Sequence, residues 1–200
     1  RLETSYEASA IKKKQEGDYY ENLVSYGITL NKLDQNFQPT DGYLTSFNQT
    51  LPIYSDDSTI ENALRMSKYH AINDSLILSA KLYLKSVNSL DDNVRVSKRV
   101  YIPSSRLRGF ESGAIGPKDG SQYIGGNYGS AINLNSTLPN LLNGYENIDF
   151  NLFLDAANLW HVDYDSSLDS DKIRSSTGIS MNWFTPCLLY TSPSPRDRVL

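Results

Sequence analysis

The sequence predicts an all-β fold and, among all-β folds, favours a transmembrane antiparallel β-barrel. Two observations predict the strands. The chain is rich in tyrosine, with 14 among 200 residues, and several segments alternate apolar and polar side chains with period two. A third observation favours the barrel, because long polar gaps alternate with short, turn-like gaps between the strands. A soluble antiparallel sandwich would alternate in the same way, so it stays open at this point.

The clearest strand patterns lie at residues 75–85 and 147–156. In the first, leucine and alanine alternate with serine, lysine and tyrosine, with Ile77 as the exception. In the second, apolar side chains alternate with asparagine, aspartate and one phenylalanine. Weaker period-two patterns predict strands in residues 24–30, 43–47, 128–134 and 179–183, and the weakest signals come from residues 1–10 and 60–70. The total is about eight strands.

The gaps between these strands predict the two ends of the sheet. Residues 12–21, 52–59, 89–122 and 161–172 are predicted as long polar loops, and residues 34–41, 72–74 and 139–146 as shorter turns. Apart from Lys81 and Lys85, the polar faces of the strands carry mainly asparagine, aspartate, serine and threonine rather than lysine and glutamate. Aromatic residues gather near strand ends: Tyr123, Tyr128, Tyr145, Trp160, Trp183 and Phe184. Both features favour the barrel.

Composition excludes several classes of protein. A formal net charge of -4 argues against a general nucleic-acid binder. The chain lacks a run of eighteen apolar residues and opens without a signal segment, so it is predicted to be a piece of a longer protein. The single cysteine, Cys187, rules out a disulfide within the chain and a cysteine metal cluster.

Candidate chemical motifs fail on their spacing. In the acidic run that starts at Asp163, Leu168 stands where a calcium loop needs glycine, and Arg174 where it needs glutamate. The stretch GGNYG at 125–129 lacks the lysine and the helix of a phosphate cradle. His70 and His161 are predicted at opposite ends of the strands, which argues against a shared metal site or catalytic pair. We therefore expect no enzyme activity, metal or cofactor.

The order of motifs resembles the barrel of the outer-membrane protein assembly factors and their wider superfamily of bacterial surface antigens. The resemblance covers about residues 20–186. It rests on five stretches, each of which falls on a predicted loop or strand: DQNFQPTDG at 34–42, RLRGFESGAIGP at 106–117, GGN at 125–127, FLDAANLW at 153–160 and RSSTGISMNWFTP at 174–186. In the family these are a periplasmic turn, an R-G-F loop that folds into the lumen, a re-entry point, an F-x-D-x-G strand and an R-x-S-x-G strand.

The resemblance implies a partial barrel with a long loop folded into the lumen, located in the outer membrane of a Gram-negative bacterium. It implies strands seven to fourteen of about sixteen. The implied function is the folding and insertion of other outer-membrane proteins without covalent chemistry. Implied partners are unfolded outer-membrane proteins, lipoproteins of the assembly complex and the lipid bilayer. A TamA-like factor, a two-partner secretion transporter and, less favoured, a passive porin remain as alternatives.

Together with the strand pattern, the resemblance implies a structural latch. Arg108 reaches from the loop and pairs with Asp155, which the alternation in residues 147–156 places on the inner wall. Arginine suits this role because its planar fork makes two parallel hydrogen bonds to a carboxylate. Gly109 is expected to allow close backbone approach, and Phe110 to pack beside the pair. The residues expected at loop re-entry are Gly116, Pro117, Gly125 and Gly126.

Three departures from the family pattern stand out. Ala157 occupies the glycine of F-x-D-x-G, and Asn135 stands where a lumen carboxylate is common, which is expected to weaken the charges around Arg108. Residues 187–200 contain two prolines and lack period two. They resemble a translated sequencing adapter, so the barrel domain is predicted to comprise residues 1–186, with a non-native tail after it.

Overall fold

The computed structural model of this chain describes residues 10–74, 76–138 and 148–183. Seven long strands form one sheet, in the order β1-β2-β3-β4-β7-β8-β9, and each pairs antiparallel with its neighbours. Their bounds are β1 Glu21–Leu33, β2 Gly42–Ser55, β3 Thr59–Asn73, β4 Leu76–Ser89, β7 Tyr128–Leu138, β8 Ile148–Trp160 and β9 Arg174–Trp183. A small hairpin, β5 Lys118–Asp119 with β6 Gln122–Tyr123, lies between β4 and β7, and a short helix, α1 Ala10–Lys14, precedes β1. The all-β prediction is confirmed.

The strands are longer than the periodicity suggests. β3 is 15 residues long, although its pattern was among the weakest. The predicted long loop at 52–59 is wrong, because β2 runs to Ser55 and only residues 56–58 connect it to β3. Pro52 disturbs the alternation there, yet it still pairs with Leu23, next to a bulge at Ile53 of β2. The predicted strand at 1–10 (apart from Ala10, in α1), the turn at 139–146 and the tail at 187–200 lie outside the described residues.

Two ends of the sheet are distinguished by their connections. We call the end that carries residues 90–127 and 161–173 the long-loop end, and the end that carries residues 34–41 and Asp74 the short-turn end. Among the described residues, no helix is long and apolar enough to cross a bilayer.

One face of the sheet is an exposed apolar belt. Its large side chains are between 38% and 72% exposed and alternate with residues that point the other way: Leu78, Leu84, Ile132, Leu134, Leu152, Leu154, Ile179 and Met181. A contiguous apolar surface of this kind is unfavourable in water and suits lipid. We call it the outward face.

The opposite face is concave. Nε2 of Gln38, in the turn between β1 and β2, donates to Oδ2 of Asp149 in β8 over 3.3 Å. β2 and β8 are four positions apart in the sheet, which would separate them by about 19 Å in a flat sheet. The sheet therefore curls, and the turn reaches across its concave face, as the wall of a barrel requires.

The core of the described chain lies between the long loop and the concave face. Residues 89–122 do form a long loop, but the prediction that it is polar is wrong, because it supplies six of the thirteen buried hydrophobic side chains among the described residues. At most 4% of each is exposed: Val94, Val96, Val100, Ile102, Leu107 and Ile115. Most of them pack on residues of β4, β7 and β8 that point inward near the long-loop end: Tyr83, Val87, Ala131, Ala157 and Leu159. Their irregular spacing along the loop gives no periodic signal, which explains the error.

We expect a charge to be tolerated on the concave face but not on the outward face. In the full-length protein, Leu154→Arg should lower the free energy of unfolding by about 2–4 kcal/mol, the cost of an arginine near the centre of a bilayer. Ser180→Arg, whose side chain points into the polar interior from β9, is the matched control and should cost much less. Denaturant titration of tryptophan fluorescence in phospholipid vesicles measures both. Equal losses would contradict the assignment of the faces.

Candidate functional site

The centre of the candidate site is an arginine of the long loop that lies on the wall of β8. Oδ2 of Asp155 accepts hydrogen bonds from the backbone nitrogen of Arg108 at 3.1 Å and from its Nε at 2.7 Å. Oδ1 of the same carboxylate accepts from Nη2 at 2.7 Å. The Asp155 side chain is fully buried, and that of Arg108 is 28% exposed. The structure thus brings together the two residues that the sequence singled out, in the bidentate arrangement characteristic of strong arginine–carboxylate pairs.

Two asparagines of β7 complete the polar cluster. Asn133 Nδ2 donates to Asp155 Oδ1 over 2.7 Å and to the carbonyl oxygen of Arg106 over 2.8 Å. Asn135 Oδ1 accepts from Arg108 Nη2 over 2.7 Å, so the amide at this position takes part in the cluster even without a charge. The buried carboxylate therefore accepts hydrogen bonds from three directions, which offsets the cost of removing its charge from water.

A phenylalanine of β8 covers the arginine. The ring centroid of Phe153 lies 3.7 Å from Cζ of Arg108, a cation–π contact. Gly178 of β9 pairs with Phe153, and a Cβ added at Gly178 would lie 2.9 Å from the Phe153 ring, so the glycine leaves room for the aromatic side chain. Sequence reasoning gave neither residue a role. Phe153 could have been found, because it begins the F-x-D motif and shares the inward face with Asp155.

Gly109, the residue after Arg108, acts differently from what was predicted. Gly109 has a φ of 83°, but a Cβ added there would meet nothing within 4 Å. The expectation of close backbone approach is therefore wrong, and the glycine supplies a left-handed backbone conformation instead. Phe110 packs at the edge of the buried cluster between loop and sheet, while Phe153 covers the guanidinium.

The first re-entry pair presses the loop against β8. Gly116 has a φ of 94°, and a Cβ added there would lie 2.7 Å from Cβ of Leu159. Pro117 is fully buried beside it. Both the backbone conformation and the lack of space therefore require glycine at position 116.

The second re-entry pair returns the chain to the sheet. A Cβ on Gly125, whose φ is 70°, would lie 2.7 Å from the carbonyl oxygen of Val100. A Cβ on Gly126 would lie 2.6 Å from that of Trp160. Gly126 also exchanges backbone hydrogen bonds with Val100, of 2.8 and 3.1 Å, immediately before β7 begins. Close backbone packing at both glycines fixes the point where the loop ends.

A second loop arginine, which the sequence did not reveal, ties the loop to β1 and to the β2–β3 connection. Arg95 forms ion pairs with Glu21 and Asp57, and its Cζ lies 3.7 Å from the ring centroid of Tyr19. Burial lowers the pKa of Arg95, but the hydrogen bonds and charges of Asp57 and Glu21 outweigh this effect and raise the pKa above its ordinary value. Lys98 also pairs with Glu21.

A third loop arginine, also missed, binds the β8–β9 connection. The Arg99 side chain is fully buried, pairs through Nη2 with Asp163 Oδ1 and donates from Nε to the carbonyl oxygen of Val94. Asp163 Oδ2 accepts from the backbone nitrogen of Val94 at 2.7 Å and from Asn127 Nδ2 at 2.9 Å. The acidic stretch at 163–171, whose spacing does not fit a calcium loop, thus supplies a partner for an arginine. These pairs lack any local sequence signal.

The arrangement is suited to holding a loop in place. Its chemistry consists of ion pairs, hydrogen bonds and apolar packing. His70 lies in β3 near the short-turn end, and its Nδ1 is 3.3 Å from Asp41 Oδ1, whereas His161 follows β8 at the long-loop end. The two histidines are therefore not brought together.

Comparison with known proteins gives a consistent picture. The Omp85 superfamily domain matches residues 2–190. An outer membrane protein assembly factor BamA from Neorickettsia risticii is 27% identical over 181 residues, which cover 87% of this chain and 24% of that protein. A crystal structure of BamA from Haemophilus ducreyi lacking POTRA domains 1–3 is similar with a TM-score of 0.73 and 25% identity, covering 82% of this chain and 36% of the other. The chain thus spans about a quarter and about a third of these two proteins.

The re-entry glycines allow a matched test. In the full-length protein, Gly116→Ala should loosen the loop, because the new Cβ strains the backbone and also meets Leu159. Gly120→Ala is the control: its φ of 60° is also left-handed, but the position has open space. Limited proteolysis should cut the loop of Gly116→Ala about fivefold faster than that of Gly120→Ala, since overpacking adds to the backbone strain. Equal cutting rates would mean that Gly116 is required only for its backbone conformation.

Proposed function

Because this chain belongs to the Omp85 superfamily, we propose that it is part of the barrel of an assembly factor that folds and inserts other outer-membrane proteins. The observation that carries the proposal is the cluster around Asp155. Motifs far apart in the sequence, namely the R-G-F loop, the F-x-D strand and the glycine of the next strand, meet there in direct contact. The similarity to proteins named BamA supports the same conclusion.

In the proposed mechanism the chain acts through backbone pairing and packing, without covalent chemistry or a cofactor. An open strand edge offers backbone donors and acceptors to an incoming strand, and in a membrane such an edge has no water to satisfy it. The Arg108–Asp155 latch would keep the long loop docked on this part of the wall, so that the wall stays ordered while an edge elsewhere in the barrel opens. The substrates would be unfolded outer-membrane proteins, and the partners lipoproteins of an assembly complex.

The protein lies in the outer membrane of a Gram-negative bacterium, as its family and fold indicate. We propose that the short-turn end faces the periplasm and the long-loop end the cell exterior, since outer-membrane barrels have short periplasmic turns and long outer loops. We also propose that the barrel portion ends at residue 186 and that residues 187–200 are not part of it.

A double-mutant cycle tests the function and the latch. In the full-length protein, Arg108→Ala should slow assembly because it leaves the Asp155 carboxylate buried without its cation, a loss of about 2–5 kcal/mol in loop docking. Asp155→Ala should also slow assembly, and the double variant should be little worse than either single variant. The measurement is the folding rate of an unfolded outer-membrane protein added to liposomes that contain the variant.

The control for this cycle is Arg106→Ala, which removes an arginine two residues away in the same loop. Cζ of Arg106 lies 4.2 Å from the ring centroid of Tyr83, and within the described residues its side chain has no carboxylate partner. It should retain most of the assembly rate. Additive defects of Arg108→Ala and Asp155→Ala would contradict the latch, and a wild-type rate no higher than that of empty liposomes would contradict the assembly function itself.

Cysteine labelling tests the orientation. Ser166, in a short helical turn between β8 and β9, and Asn36, in the turn between β1 and β2, are both exposed and lie at opposite ends of the sheet. In an otherwise cysteine-free full-length protein on intact cells, an impermeant thiol reagent should label Ser166→Cys but not Asn36→Cys. Permeabilising the outer membrane should make both reactive. Equal labelling on intact cells would contradict the proposed orientation.

A further inference from the structure

A row of outward-pointing side chains crosses the sheet from the short-turn end of β1 to the middle of β8. The pairing register puts these residues side by side: Lys32, Tyr43, Lys68, Ala80, Leu134 and Leu154. Lys68 is exposed and forms no hydrogen bond or ion pair with any residue in the described part of the chain. Lys68 thus stands without a partner at the point where the row becomes apolar, on β4, β7 and β8.

Beside Lys68 the outward face has an open groove of about 540 Å³, a volume within the usual range of about 300–1,000 Å³ for ligand sites. The groove exists because small side chains stand between large ones on this face. Ala80 on β4 and Ser136 on β7 are small, whereas neighbours on β7 and β8 are bulky leucines. Lys68 and His70 line the other side. The site therefore joins an apolar channel to a single cationic edge.

The surrounding charges leave Lys68 available. Asp41, the acidic group nearest to His70, is engaged with it, Nδ1 to Oδ1, at 3.3 Å. Lys81 points to the opposite face, where its Nζ lies 5.8 Å from the ring centroid of Tyr69. Among the residues that line the groove there is no carboxylate. An anion at Lys68 would therefore meet an unopposed positive charge.

We propose that this groove binds one anionic phospholipid of the leaflet at the short-turn end. The acyl chain lies over Ala80 and Ser136, and the phosphate contacts Nζ of Lys68. A lysine near the edge of a membrane-facing wall extends its charged end toward the headgroups, where anionic phosphates attract it. The groove adds a concave apolar surface on which the acyl chain of the same lipid can lie. The proposal rests on the outward face meeting lipid and is independent of the assembly activity.

The chain contains a matched control for the charge. Lys32 lies in the same outward row, and Tyr43 separates it from Lys68. Lys32 does not line the groove. General attraction of anionic lipid to the wall would involve both lysines equally, whereas a site in the groove requires Lys68 alone.

Native mass spectrometry of the full-length protein in detergent, titrated with dioleoyl phosphatidylglycerol or dioleoyl phosphatidylcholine, tests the site. The wild type should retain one phosphatidylglycerol in preference to phosphatidylcholine. Lys68→Gln should weaken phosphatidylglycerol binding about fivefold, the contribution of one lysine near an anionic surface, and Lys32→Gln should leave it unchanged. Ala80→Leu, which fills the floor of the groove, should weaken binding of both lipids, while Thr45→Leu, on the same face of β2 but outside the groove, should not.

Each contrary result overturns the proposal. Equal weakening by Lys68→Gln and Lys32→Gln would indicate general electrostatic attraction. Equal retention of the two lipids by the wild type would indicate apolar contact alone. Unchanged binding in Ala80→Leu would place the acyl chain elsewhere, and displacement of the lipid by inorganic phosphate would indicate a simple anion site. Because all these substitutions lie on the outward surface, folding is verified for each by the shifted mobility of the unheated protein in gel electrophoresis.

Discussion

The carboxylate of Asp155 is the point on which the described structure depends. It is fully buried on the concave face, where an unpaired negative charge would be very unfavourable. Within the described strands, the sheet supplies only the amide of Asn133. The remaining hydrogen bonds come from Arg108, so the long loop has to dock if the wall is to keep this residue. An aspartate at this position is compatible with a stable fold only when the docked loop supplies the cation that neutralises it.

The same loop also covers the apolar patch on the inward face of the sheet. A single curved sheet with lipid on one side cannot pack its other face against a second sheet, so its inward apolar patch near the long-loop end needs another cover. The loop brings its own apolar residues to that patch. Arg95, Arg99 and Arg108 then bind carboxylates on β1, on the β2–β3 and β8–β9 connections and on β8. Because these anchors are spread across the wall, the loop also joins strands that are not neighbours in the sheet.

The sequence predicted the parts of this structure that repeat and missed the parts that do not. Alternation in residues 147–156 placed Asp155 inward, because side chains of a strand point to opposite faces in turn. The loop offers no such repeat, so its buried valines and isoleucines looked like part of a polar gap. The partners of Arg95 and Arg99 are 38 to 74 residues away in the sequence, and no local pattern encodes contacts of that range. Resemblance to a family located Arg108, but only the structure identifies Phe153 as the ring that covers it and Gly109 as a glycine required for its backbone conformation.

The Arg108–Asp155 latch also constrains the register of β8 against its neighbouring strands. In β8, Leu154 points outward and is 49% exposed, and Asp155 points inward and is fully buried. A slip of one residue would exchange the two faces, placing the carboxylate toward lipid and the leucine against the loop. Alternation alone opposes that slip only through many small free-energy costs, one for each apolar side chain that would leave the lipid-facing side. The Arg108–Asp155 pair opposes it at one position, because a carboxylate turned toward lipid loses its cation and its hydrogen bonds together. The contact that holds the loop thereby also determines which face of the strand meets the membrane.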